Sequence, residues 1–170
     1  MTSGTKSDGE LAQIRLGRLE LFVGFQLRRV QNQLSRDFAA AIADQNVRSG
    51  FFSSLAIVSA NPGISQTSVS RAVGLDKSVT VQLVDEMERR GFATRRRSTA
   101  DRRQQSLFAT EAGERFLDEM FAILRQTEAA ALEQIQPDEL ILLHRVLSRI
   151  YSVYDPNKKP TIRKGLPKDS

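Results

Sequence analysis

The chain contains no cysteine and a single histidine, His144. Without thiols there is no disulfide framework, no thiolate metal site and no thiol redox switch. With one histidine and no cysteine a zinc site is not expected, and His144, on an apolar helix face, reads as an interface histidine. Long apolar runs are missing too, and nothing approaches the roughly 20 residues that span a bilayer. The opening MTSGTKSDGE lacks the hydrophobic core of a secretion signal, so a cytoplasmic location without a membrane partner is the expectation. Catalytic signatures are also absent: no G-x-S-x-G, no P-loop, no Cys/His pair. Carboxylate neighbours such as Asp118-Glu119 and Asp138-Glu139 read as solvated helix positions and partners of helix dipoles. Neither an enzyme nor a cofactor is expected.

What the chain does have is segregated charge. Its net charge of +5 is modest, but residues 64–105 carry 9 basic and 5 acidic groups, and residues 155–170 carry 5 and 2. Between them, residues 106–154 carry 4 basic and 8 acidic groups, while residues 1–63 carry 7 and 5. Positive charge gathered in two stretches favours an anionic polymer as partner over a uniformly adhesive surface.

Apolar periodicity predicts a mainly helical chain. From Leu11 to Asp44 apolar residues recur at steps of three and four, including Leu16, Leu19, Val23, Leu27, Val30, Leu34 and Phe38, with Phe22 and Phe25 as a second strip. About 30 residues at ~1.5 Å rise make a rod of roughly 45 Å, longer than a small core requires, so a partner is expected to cover part of it. Phe51 to Ala60 reads as a short apolar helix stopped by Asn61-Pro62-Gly63. Ser65 can cap a helix over Gln66 to Val73, and Gly74 makes a turn. Asp76 can cap a helix over Lys77 to Arg90, whose buried face is expected to be Val79, Leu83, Val84 and Met87. Phe92 to Arg97 and Gln105 to Ala109 read as strands around Ser98-Thr99-Ala100-Asp101. Thr110 caps a helix to about Ile135, and Pro137 opens a final helix with Leu140, Leu143, His144, Leu147, Ile150, Tyr151 and Tyr154 on one face.

The stretch from Ile64 to Gly113 is the most specific. Two helices joined at a glycine follow the helix-turn-helix pattern, and shortly after the second helix the nine residues 95–103 include Arg95, Arg96, Arg97, Arg102 and Arg103. This order fits a helix for the DNA major groove followed by a basic hairpin, a wing, for phosphates. On the second helix Lys77, Ser78, Val81, Gln82 and Asp85 lie opposite the apolar stripe. Gln82 can pair bidentately with adenine and Val81 can meet a thymine methyl. Ser65, Gln66, Thr67 and Ser68 can meet phosphate at the start of the preceding helix. Alternation puts Arg95 and Arg97 on one side of the strand and Arg96 on the other, with one or two of them expected on phosphate.

Five motifs then stand in register: Pro62-Gly63-Ile64-Ser65-Gln66, Asp76-Lys77-Ser78, Arg89-Arg90-Gly91, Asp101-Arg102-Arg103 and Thr110-Glu111-Ala112-Gly113. With them the segment resembles the MarR family of bacterial transcriptional regulators. The resemblance implies a winged-helix homodimer whose terminal helices pair, bound to an inverted-repeat operator in double-stranded DNA. It also implies that Asp101 and Arg103 work as a pair, the arginine in the minor groove and the aspartate holding the turn. The chain departs from the family where Val81 and Gln82 replace a frequent Thr and Arg, and where Ala109 replaces the leucine before Thr110.

The expected organisation is a disordered N-terminus over 1–10, a long dimerisation helix over 11–50, a winged helix-turn-helix over 51–110, C-terminal dimerisation helices over 111–154 and a basic tail over 155–170. The family resemblance further implies a small-molecule effector, such as an aromatic acid, a phenol or an acyl thioester, that releases a repressor from DNA. Phe22, Phe25, Arg28, Arg29, Phe51 and Phe52 fall in the corresponding segments and can line such a site, or can be ordinary core and surface. The absence of cysteine argues against the thiol-oxidation branch of the family. A winged-helix module that binds protein, or DNA without sequence preference, is the alternative; steep salt dependence on a promoter fragment separates it.

Overall fold

The computed structural model describes residues 14–97 and 105–154, which form two compact units divided after Glu128. The first unit begins with a short 3-10 turn, Gly17–Leu21, followed by α1 (Val23–Ala41), a second 3-10 turn (Ala43–Gln45) and α2 (Phe51–Ala60). Then come β1 (Ile64–Ser65), α3 (Gln66–Val73), α4 (Lys77–Arg89), β2 (Ala93–Arg97), β3 (Gln105–Ala109) and α5 (Glu111–Leu132), within which the unit ends. The second unit holds α6 (Pro137–Tyr151) and a last 3-10 turn. This is the mainly helical winged helix-turn-helix fold expected, with the strands in order β1-β3-β2, all antiparallel.

The core forms around α2, which is apolar almost all round and is therefore a helix meant to be surrounded. Phe51, Leu55 and Val58 are fully buried. Phe51 meets Phe116 edge-on at 5.9 Å between centroids, and Phe92 stacks on Phe116 at 4.7 Å. Leu83 and Met87 of α4 and Leu117 and Met120 of α5 complete this cluster. A smaller one joins Val58, Val69, Val84 and Leu107, fixing α3 and α4 to β3. Together these clusters set the outer faces of α3 and α4 beside the root of the hairpin.

Local chemistry explains most boundaries. Ser65 caps α3 by accepting from the Ser68 N–H at 3.2 Å. Gly74 takes φ +73° at the turn between α3 and α4, a conformation costly for residues with a Cβ. Thr110 accepts from the Gly113 N–H at 3.1 Å and donates to the Gly91 carbonyl at 2.6 Å, so one hydroxyl both caps α5 and ties it to the end of α4. Pro137 occupies the first turn of α6, where Glu139 accepts from the Gln136 N–H at 2.9 Å.

Four expectations need correction. The first helix is not continuous: Gly17 has φ +58°, Phe22 is extended at φ −98° and ψ 115°, and residues 46–50 form a loop beyond the second 3-10 turn. A 19-residue α1 spans about 28 Å at ~1.5 Å rise, well short of the rod expected over 11–50. Asp76 stands at the α4 N-cap without a side-chain capping bond. Val79 is exposed and Thr80 takes its buried place, because the Thr80 hydroxyl can hide by donating to the Asp76 carbonyl at 3.0 Å. Finally, the two-residue β1 was not anticipated; Ile64 pairs with Leu107 and Ser65 with Ser106. The proposed flexible ends (1–10 and 155–170) and the turn at the wing tip lie outside the described residues.

Candidate nucleic-acid interface

The outer face of α4 is as the helical period predicts. Lys77, Ser78, Val81, Gln82 and Asp85 are all exposed, while Thr80, Leu83, Val84 and Met87 face inward. At the start of α3, Thr67 and Ser68 are exposed, and the Ser65 and Ser68 hydroxyls lie 2.9 Å apart. Arg95 brings these surfaces together. Its guanidinium reaches Asp85 at 2.7 Å and Gln66 at 3.3 Å and is also paired with Glu88, while its backbone N–H donates to Glu88 at 2.9 Å. One side chain thus joins β2 to the middle of α4 and the start of α3.

That role differs from the phosphate contact expected of Arg95. Its side chain is only 18% exposed and its guanidinium is engaged by Asp85, Gln66 and Glu88, so Arg95 ties the wing to α3 and α4. Arg96, on the opposite face of β2, lies over the Phe108 ring at 4.8 Å from its centroid, a cation–π contact between diagonal neighbours on adjacent strands. The backbone of Arg97 pairs with Gln105. Asp101, Arg102 and Arg103 lie outside the described residues.

Two arginines whose roles the sequence did not reveal, Arg90 of the Arg89-Arg90-Gly91 motif and Arg48, hold the loop before α2 against α4. Arg90 donates to the carbonyls of Gln45 at 3.1 Å and Asn46 at 2.5 Å, pairs with Glu86 at 2.7 Å and lies over the Phe51 ring. Arg48 donates to Gln82 at 2.9 Å and stands 3.7 Å from Glu86. Glu86 is 8% exposed, so these cations compensate a carboxylate that would otherwise be costly to bury. Both arginines bond across more than 30 residues of sequence, which leaves no local pattern to read.

A cleft of about 510 Å³ opens between α1, this loop and α2, within the usual range of small-molecule sites. Phe38, Ile42, Phe52 and Leu75 supply apolar wall, and Gln31, Asn46 and Arg48 supply polar groups. Of the six residues proposed from sequence for a ligand site, Phe52 alone lines it. Phe51 is core at 0% exposure, turned inward by its aromatic partners. Phe22, in the extended break before α1, is exposed, and it, Phe25, Arg28 and Arg29 do not line the cleft. Phe38 was visible as a position on the first helix, whereas Arg48 carried no signal beyond its charge. Among the described residues no cluster of His, Asp or Glu could hold a metal ion.

Comparison with known proteins places this geometry. The family profile described as MarR family matches residues 52–104, from the start of α2 to the residue before β3. A transcriptional regulator assigned to the hcr operon of Thauera aromatica is 32% identical over 152 residues, spanning 87% of this chain and 90% of that one. A MarR-family transcriptional regulator of known structure from Rhodococcus sp. RHA1 is 30% identical, with a TM-score of 0.67 over 79% of this chain and 94% of that one. The chain belongs to the MarR family of transcriptional regulators. Another relative of solved structure, the transcriptional repressor CouR, is 28% identical in two complexes. With a 23-mer DNA duplex its TM-score is 0.72 over 82% of this chain and 99% of CouR. CouR of Rhodococcus jostii RHA1 bound to p-coumaroyl-CoA gives 0.70 over 83% and 97%. As a MarR-family regulator the protein is not an enzyme, and no described helix is long and apolar enough to cross a membrane.

Proposed function

We propose that this MarR-family regulator is a homodimeric, sequence-specific repressor that binds an inverted repeat in double-stranded DNA and leaves it when a small effector occupies the cleft. The observation that carries the reading is the exposed face of α4, with Gln82 at its middle, docked by Arg95 to an arginine-rich hairpin. In this reading Lys77, Ser78, Val81 and Gln82 enter the major groove, with Thr67 and Ser68 on phosphate. Arg97, Arg102 and Arg103 contribute from the wing and Asp101 holds its turn. CouR bound to DNA supports the partner, and CouR bound to p-coumaroyl-CoA supports an aromatic acid, phenol or acyl thioester as effector class.

The dimer is supported by apolar surface that one chain leaves uncovered. In the first unit Leu21, Phe22, Val23 and Val30 are exposed; in the second Ile141, Leu142, Val146, Ile150 and Tyr151 are. Such surface is what an isologous interface would cover. The test is electrophoretic or fluorescence titration of a duplex from upstream of the protein's own gene, at several salt concentrations, with and without p-coumaroyl-CoA and p-coumarate. Saturable binding that outcompetes unrelated duplex, falls steeply with salt and weakens with either compound is expected. Equal affinity for unrelated duplex would leave a non-specific DNA binder, and no binding would leave a protein-interaction module.

A further inference from the structure

Gln82 does not face solvent as a free amide. Arg48 Nη1 donates to its Oε1 at 2.9 Å, and Arg48 Nε lies 3.7 Å from Glu86, one turn along the same helix. A guanidinium has donors alone, so the oxygen of the Gln82 amide must face Arg48 and its NH₂ must face away. The loop that carries Arg48 is itself held to α4 by the two hydrogen bonds from Arg90. Among the described residues, Arg48 is also the one charged residue lining the cleft. A single side chain therefore touches both the residue best placed to read a base and the wall of the cleft.

We propose that Arg48 couples the cleft to base reading: it sets the hydrogen-bonding sense of Gln82, and a carboxylate in the cleft competes for its guanidinium. The proposal rests on α4 reading DNA, as argued above. While Arg48 holds Oε1, Gln82 offers two N–H donors and one remaining lone pair, which matches acceptor edges such as N7 and O6 of guanine. A carboxylate offers Arg48 a full charge and bidentate geometry where Gln82 offers a neutral carbonyl, so it wins the guanidinium. The released amide then rotates and its edge preference is lost. Arg48 is a positioning residue in this scheme, and base contact remains with Gln82.

The absence of cysteine makes the test clean, because one introduced thiol can be alkylated alone. Ser49 and Ser53 both line the cleft. In full-length Ser49→Cys and Ser53→Cys, iodoacetate installs a carboxylate there and iodoacetamide a neutral amide of the same length. Sites are selected from random duplex DNA, and affinity is then measured for the selected repeat and its single-base variants. Wild type and the amide adducts should discriminate at one position per half-site. Arg48→Met and at least one carboxylate adduct should lose about tenfold or more of that discrimination, and Arg48→Lys, which still donates, should retain it. Gln82→Ala should lose the same discrimination, with no further loss when Arg48→Met is added. Arg48 is 64% exposed, and thermal melts check that each variant is folded before its DNA binding is compared. A uniform drop in affinity with unchanged base preference in Arg48→Met overturns the role of Arg48. Identical behaviour of carboxylate and amide adducts at both positions overturns the link to the cleft. A wild type that selects no sequence overturns the reading of α4 instead.

Discussion

Replacing Gly113 by alanine tests whether a family motif has the physical cause that the structure assigns to it. Gly113 sits in the first turn of α5, where alanine would ordinarily gain roughly 0.5–1 kcal/mol through backbone entropy. Here a Cβ would overlap the carbonyl oxygen of Phe92 and stand 3.0 Å from its carbonyl carbon. Those are backbone atoms and cannot rotate away. The helix start is held to the same strand entry by Thr110, whose N–H donates to the Phe92 carbonyl at 3.0 Å and whose hydroxyl donates to Gly91 at 2.6 Å. Relief therefore requires α5 and the Phe92 carbonyl to part by roughly 1 Å, an overpacking strain of about 1–3 kcal/mol. Weakening the two Thr110 bonds adds about 1 kcal/mol each, so after the helix gain Gly113→Ala should destabilise by about 2–4 kcal/mol. The Phe92–Phe116 stack, at 4.7 Å, spans the same seam and would loosen with it. Urea unfolding at fixed protein concentration measures the difference. Gly24→Ala, in α1 with nothing within 4 Å, is the matched control and should be neutral or stabilising by up to about 1 kcal/mol. A Gly113→Ala protein as stable as wild type would refute the close approach as the reason for this glycine.

Three further outcomes are expected. Light scattering should give a mass near twice the 19.0 kDa chain mass, and Ile141→Glu, on an exposed apolar position of α6, should shift it towards one chain; a wild-type monomer at micromolar concentration would end the dimer proposal. Arg95→Met should lower stability by about 1–2 kcal/mol in thermal or urea melts, because Glu88 and Asp85 lose their shared cation, and an unchanged melt would show that the network is stability-neutral. Arg103→Ala should weaken binding to all duplexes and lower the salt slope by roughly one, with the fold intact; unchanged affinity would remove Arg103 from the interface.

Much of the architecture was legible in the sequence because its causes are local. Pro62-Gly63 stops α2, Ser65 caps α3, Gly74 turns the chain into α4, and Thr110 caps α5. Each acts within three or four residues, so the residue and its consequence are read together. The outward face of α4 was readable for the same reason: Leu83, Val84 and Met87 set the helical phase, and Lys77, Val81 and Gln82 fall opposite. Where a local rule was ambiguous it failed locally, as at Val79 and Thr80, since hydropathy does not record that a threonine can satisfy its hydroxyl on its own helix.

Sequence by itself determined the family, the order of the main helices and the two wing strands, and which face of α4 points outward. Tertiary structure decided what the charged and aromatic residues do, because their partners are distant in sequence and a side chain's direction depends on what it meets. Arg95 turns towards Asp85 and Glu88 because their charge draws it, and Phe51 is core while Phe52 lines the cleft although they are neighbours on one largely apolar helix. Gly113 is required by a carbonyl 21 residues earlier in the chain (113 less 92), and β1 exists because β3 offers it an edge. The junction of Arg48 with Gln82 and Glu86 appears once the loop before α2 folds across α4, where burial of Glu86 makes a nearby cation favourable.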